Sequence, residues 1–178
     1  MSSKKGYFFI LDAFIGLFVI VIGLVLIYSV FMYEPNEEQI TLLSFDMMNF
    51  LSSNKISDIN DQYAGPNGFL YQNGNITNID DTLIEQVAEF YHRNVTYPNT
   101  NTIPLIDSFI SNISKETAPV NYGFIIKIEN YTVYNHSGIK ATNFADSVVV
   151  IPSKKIVHGI YNRTELFGPY ICEVIVWR

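Results

Sequence analysis

The sequence predicts an α+β fold: a long N-terminal membrane-spanning and amphipathic helix, then a small head with two helices and an antiparallel sheet of three to four strands. Three observations carry this expectation. Residues 13–33, AFIGLFVIVIGLVLIYSVFMY, form a run of 21 residues without a charge. Apolar residues then recur at spacings of three and four in three further stretches. From residue 120 the period changes to two. Helices first and strands afterwards is the order of an α+β domain.

Composition narrows the function classes. The 178 residues hold 17 acids, 11 bases, three histidines and one cysteine. Apolar residues make up 48% and charged residues 16%, against roughly 25% charged in ordinary domains. A largely disordered chain is therefore excluded. One cysteine excludes an internal disulfide and a Cys-based zinc site. A net charge of −6 argues against nucleic acid as a partner.

The first element is the apolar stretch 7–33, interrupted only by Asp12. As a helix it spans about 40 Å, more than the ~30 Å of bilayer hydrocarbon. Lys4 and Lys5 precede it; Glu34, Glu37 and Glu38 follow it. That asymmetry places the N-terminus in the cytoplasm and the C-terminal domain outside. A cleaved secretory signal peptide fits less well. The apolar core exceeds the usual ~7–15 residues, and no small-x-small site follows it in Phe31-Met32-Tyr33-Glu34-Pro35.

Pro35 should kink or interrupt the helix. Residues 36–54 resume it, with Ile40, Leu43, Met47, Phe50 and Leu51 as the stripe, widened by Leu42, Phe45 and Met48. Residues 62–79 are turn-rich. Within them Phe69–Gln72 and Asn75–Ile79 flank Asn73-Gly74, which predicts a short hairpin. Asp80 or Asp81 should cap a helix to about Arg93, with Leu83, Ile84, Val87, Phe90 and Tyr91 inward. Pro104 should open another helix as its first residue, with Leu105, Ile106, Phe109, Ile110 and Ile113 inward, ending before Pro119. Tyr122, Phe124, Ile126 and Ile128 mark a strand, and Tyr131–Tyr134 continues or pairs with it. Ser147–Ile151 and Lys155–Tyr161 should form a hairpin turning at Pro152-Ser153-Lys154, and Tyr170–Trp177 a last strand. The predicted divisions are residues 1–6, 7–33, 34–54 and 55–178.

Residues 4–13 read Lys-Lys-Gly-Tyr-Phe-Phe-Ile-Leu-Asp-Ala, ahead of about twenty apolar residues. This order resembles the class III signal peptide of type IV pilins and pilin-like proteins. The resemblance implies that a prepilin peptidase cuts between Gly6 and Tyr7 and that the apolar stretch is kept as a filament-core helix. It also gives Asp12 a role. A carboxylate in hydrocarbon costs roughly 2.5–3.5 kcal/mol at mid-helix and less near an end, and in family filaments the acid neutralises a neighbouring subunit's N-terminal amine. The family acid is usually Glu at the fifth mature position; here Leu11 is fifth and Asp12 sixth. The partners implied are identical or related pilin subunits, the prepilin peptidase, an assembly ATPase, a platform protein, and membrane lipid before assembly.

Six Asn-x-Ser/Thr sequons follow the span, at Asn75, Asn94, Asn112, Asn130, Asn135 and Asn162. Chance would give about two. The excess favours a glycosylated external domain; abundant Asn in an AT-rich genome gives the same count. With the short leader and the Ile and Asn richness, it points to an archaeal source.

No enzyme signature is evident. His92, His136 and His158 are isolated, no metal-ligand spacing is present, and no phosphate-binding, dinucleotide or nucleophile-elbow motif occurs. His92 near a helix end reads as a dipole contact, and Cys172 as a small buried residue. Asp58, Asn60, Asp61, Asp80 and Asp81 read as turn and cap residues, since a calcium loop's glycine and distal glutamate are missing. No cofactor is expected. The expected function is a structural subunit of an archaeal type IV pilus-like surface filament, for adhesion or cell–cell contact. The alternative is a single-pass anchored extracellular binding protein that never polymerises. A tethered exported enzyme would require a convergent polar cleft that the sequence does not display.

Overall fold

An apolar segment can enter hydrocarbon only if its backbone groups are paired within the segment, and a helix does this. Helix α1, Ser3–Phe31, has that form. Its stretch Leu11–Ser29 has a mean hydropathy of 2.6 and none of it is buried. The computed structural model describes residues 3–31, 37–114, 120–139, 141–147 and 149–178. The kink expected at Pro35 and the helix stop expected at Pro119 lie outside the described residues. The chain divides into two units, Met1–Asn36 and Glu37–Arg178.

The second unit is an α+β head. Helix α2, Glu37–Ser53, buries Ile40, Met47, Met48 and Leu51. Between them lies Ser44, fully buried, whose hydroxyl donates to the Val174 carbonyl at 3.3 Å. Leu43 and Phe50 pack partly, while Leu42 and Phe45, expected in the stripe, are exposed.

The hairpin expected around Asn73-Gly74 is absent; Phe69–Gln72 forms a short helix, α3. The amides of Asn73, Gly74 and Asn75 donate to the carbonyls of Phe69, Tyr71 and Leu70. Gly74 has φ +69. The Asn-Gly pair thus ends a helix through a left-handed glycine rather than turning a hairpin; both uses need φ > 0.

Helix α4, Leu83–Thr96, is capped by Thr82 rather than Asp80 or Asp81. The Thr82 hydroxyl accepts from the Glu85 amide at 3.4 Å, and the Glu85 carboxylate accepts from the Thr82 amide at 2.8 Å. This reciprocal box satisfies two donors that a helix start leaves unpaired. Leu83, Ile84, Val87, Ala88 and Phe90 are buried. In helix α5, Ile103–Ile113, Pro104 is the second residue. The Thr102 hydroxyl donates to the Phe90 carbonyl, and Phe109 meets Phe90 edge-on at 5.9 Å, which ties the two helices together.

Four strands follow: β1 Gly123–Ile128, β2 Tyr131–His136, β3 Val150–Tyr161 and β4 Glu165–Trp177. They form one antiparallel sheet in the order β2-β1-β4-β3. The expected turn at Pro152 is not there. Pro152 lies within β3, opposite Ile175. β3 is an edge strand, where a missing N–H can be tolerated. The last strand also starts earlier than expected, at Glu165.

Alternation sorts the sheet's two faces. Phe124, Ile126 and Ile128 of β1 and Cys172, Val174 and Val176 of β4 are fully buried in the main core with α2, α4 and α5. On the other face Ile125, Ile175 and Trp177 are covered by Ala141 and Phe144. Further along β3 and β4, Ile156 and Ile171 face each other across the ladder and are exposed.

Candidate functional site

The end of α4 and the turn between β3 and β4 form a cleft of about 560 Å³, whose lining includes Arg93, Tyr97, Asn99, Thr100, Tyr161 and Asn162. The chain places these residues for local reasons. Tyr97 leaves the helix, with φ −120 and ψ 79, ahead of Pro98, a residue before which the helical conformation is disfavoured. The Thr100 amide and hydroxyl both fold back onto the Tyr97 carbonyl, at 2.8 and 2.7 Å. Across the cleft, Asn162 and Arg163 both have positive φ, 50 and 64. Asparagine suits that left-handed region. The tight turn sets Tyr161 opposite Glu165 at the end of the ladder.

A polar network holds one wall. Tyr97 donates to Glu165 Oε2 at 2.6 Å. Glu165 Oε1 lies 3.1 Å from His92 Nε2, and the Tyr170 hydroxyl lies 3.0 Å from His92 Nδ1. The bond from Tyr97 and the one from His92 hold the Glu165 carboxyl below its usual range. The same bond to Glu165 pushes the Tyr97 phenol up. An ionised carboxylate only accepts, so the neutral tautomer that satisfies both contacts carries its hydrogen on Nε2 and accepts from Tyr170 on Nδ1. His92 is nearly buried and stacks on Phe167 at 5.6 Å. Burial, then Tyr91 and Glu129, push the Tyr170 phenol up.

Arg93 is anchored through one nitrogen, Nη1. It donates to the Asn75 carbonyl at 2.8 Å, lies 3.8 Å from the fully buried Glu89, and covers the Tyr161 ring at 5.5 Å. Tyr97 and Tyr161 meet at 6.1 Å, inclined by 51°. The arrangement can present two fixed rings and uncharged amide and hydroxyl groups to a small ligand. Among the described residues, no group of three His, Cys, Asp or Glu could hold a metal ion.

The residues expected from sequence are scattered relative to this cleft. Gly6 and Tyr7 lie in α1, where Asp12 is exposed. Of the sequon asparagines, Asn130, Asn135 and Asn162 are exposed, whereas Asn75, Asn94 and Asn112 are half-buried. Only Asn162 lines the cleft. His92 does more than meet a helix end: it bridges Glu165 and Tyr170. Asp58 accepts from the Lys55 amide, and Asp61 from those of Tyr63 and Ala64, so both serve turns. His136 sits against Phe124. Cys172 is buried, and burial pushes its thiol up to about 12. Tyr97, Tyr161, Glu165 and Tyr170 carried no sequence signal, because their partners lie 60 or more residues apart or depend on a turn.

No protein-family model, no curated protein and no solved structure matches the chain. The architecture itself is that of a membrane-associated protein, with a long apolar N-terminal helix and a small α+β head. This agrees with a pilin-like architecture in general.

Proposed function

We propose that the chain is a single-pass membrane-anchored protein that displays its head outside the cell as a binding module. The observation that carries this is the contrast between the two units. Every described side chain over Leu11–Ser29 is left outside any core, while the head completes a core of its own beginning at Ile40. Leaving so many large apolar side chains in water is strongly unfavourable, at roughly 1.5–3 kcal/mol each, and a bilayer removes that cost. Labelling single introduced cysteines in a Cys172→Ser background tests the topology. Sites on the head of intact cells should react with a membrane-impermeant thiol reagent, and a site at Ser3 should not. Reaction at Ser3 alone would reverse the topology.

A second reading is favoured by one feature, the lone acid Asp12 within the apolar run beyond Lys4-Lys5-Gly6. Under it the chain is a pilin-like subunit, cut between Gly6 and Tyr7, with α1 as a filament core. Mass spectrometry of the N-terminal peptide from native membrane separates the two. A mature chain starting at Tyr7 and lost in Gly6→Val supports the filament subunit; one starting at Met1 or Ser2 supports the uncleaved anchor.

A further inference from the structure

We propose that the cleft between the end of α4 and the β3–β4 turn is a saccharide-binding site, taking one or two neutral sugar rings. The proposal rests on the reading of the head as a binding module and names its ligand class.

Four features of the cleft agree. Its volume, about 560 Å³, lies in the range of small-molecule sites, roughly 300–1,000 Å³. Its aromatic residues are Tyr97 and Tyr161; Arg93 covers one face of Tyr161 and Glu165 takes the Tyr97 hydroxyl, and each ring is an apolar body with a polar tip. The rest of the lining is Arg93, Pro98, the hydroxyls of Thr96 and Thr100 and the amides of Asn99 and Asn162. Among the described residues, the side-chain amides of Asn99 and Asn162 have no hydrogen-bond partner, so each brings donors and an acceptor to a ligand. Thr100 donates within the chain, to the Arg93 and Tyr97 carbonyls, and keeps its acceptor capacity.

Charge weighs on the choice of ligand class. Arg93 is the cation of the cleft; its Nη1 is turned to the Asn75 carbonyl and toward Glu89, and its plane lies over Tyr161. Its other N–H groups make an anion the competing ligand, which the chain's net charge of −6 opposes. The nearby Glu165 carboxylate is matched on both oxygens by Tyr97 and His92, which leaves it little to offer a cation. A polyhydroxylated ring fits what remains: its C–H face lies on a tyrosine and its hydroxyls exchange hydrogen bonds with uncharged groups. The walls are also fixed before a ligand arrives, since Glu165 and His92 hold Tyr97, and the Asn162–Arg163 turn holds Tyr161. Fixed walls reduce the ordering cost of binding. Glu165 acts here as a positioning residue, through Tyr97.

The test uses the full chain in lipid nanodiscs, made in a host that does not glycosylate it, so that Asn162 stays bare. The probes are four neutral trisaccharides, maltotriose, cellotriose, mannotriose and chitotriose, followed by saturation-transfer NMR and calorimetry. At least one should bind saturably. Tyr97→Ala should weaken it about tenfold, and Asn99→Ala severalfold with an unchanged melting temperature. Tyr97→Phe, which keeps the ring but loses the bond to Glu165, should fall between wild type and Tyr97→Ala. Three outcomes overturn the site or its ligand class: no trisaccharide binds; binding persists unchanged in both Tyr97→Ala and Asn99→Ala; or inorganic phosphate or a lysine-rich peptide saturates the cleft instead. None of these bears on the membrane display, which the cysteine-labelling topology decides separately.

Discussion

Asp81 sits half-buried beside Glu85 and Asp80, and its carboxyl is pushed up to about 6, first by burial and then by Glu85. Its ordinary value is 3.8. Between those two values the folded chain holds a proton that the unfolded chain has released. Stability therefore falls as pH rises through that window, and the penalty is complete above it. Asp81→Asn removes the penalty. We expect a melting temperature about 3 °C higher at pH 7.5, with the gain shrinking as pH is lowered toward 4. A gain that does not change with pH would trace it to packing rather than charge. Single-residue roles of this kind were unevenly legible in the sequence. Cys172 was readable as a buried residue because its strand pattern is local. His92 was visible only as a histidine near a helix end. Its real partners, Tyr170 and Glu165, lie 78 and 73 residues away, and periodicity carries no information over such separations.

The elements show where local patterns suffice and where they mislead. α4 and α5 were legible because their inward faces repeat at helical spacing; most of the residues the spacing selects are buried, Tyr91 and Leu105 only partly, and α4 also buries Gln86, Ala88, Glu89 and His92, which the spacing does not select. Two hairpins were misread for related reasons. Asn73-Gly74 signals a positive φ, but the signal does not say whether a helix or a strand precedes it. Pro152 reads as a turn until the sheet order makes β3 an edge strand. The cleft lies at the far end of β3, where Tyr161 meets Tyr97 beyond α4. The α3 terminus can be checked directly. Gly74 has φ +69, and a Cβ added there meets nothing within 4 Å. The cost of Gly74→Ala is therefore purely conformational, about 1 kcal/mol. Gly74→Asn should cost less, since asparagine tolerates the left-handed region. Chemical denaturation measures both. Equal stability of all three chains would show that this residue does not hold a left-handed cap.

At the scale of the whole molecule, the division into an apolar helix and a self-contained head was legible from hydropathy alone, because a charge-free run of 21 residues has few soluble uses. Strand order was not, since alternation says which residues face inward and nothing about which strand lies beside which. The division makes a physical claim about where stability resides. Every member of the head's buried clusters lies between Ile40 and Trp177. Leu11–Ser29 contributes no buried side chain. A chain beginning at Glu37 should therefore keep the head's fold and its cooperative melting, within a few degrees of the full chain in micelles, and should need no detergent. Exposed apolar side chains set a limit on its solubility, Leu42 and Phe45 among them. Leu42 and Phe45 of α2 are 59% and 52% exposed and form an apolar spot on one helix. Leu42→Ser with Phe45→Ser should raise the concentration at which the head stays monomeric while leaving its melting temperature nearly unchanged, because neither side chain belongs to the core. Sedimentation and thermal melts on both versions decide the matter. A truncated head that loses cooperative melting would mean that α1 stabilises the fold as well as anchoring it. A large drop in melting temperature in the double variant would place Leu42 and Phe45 in the core instead.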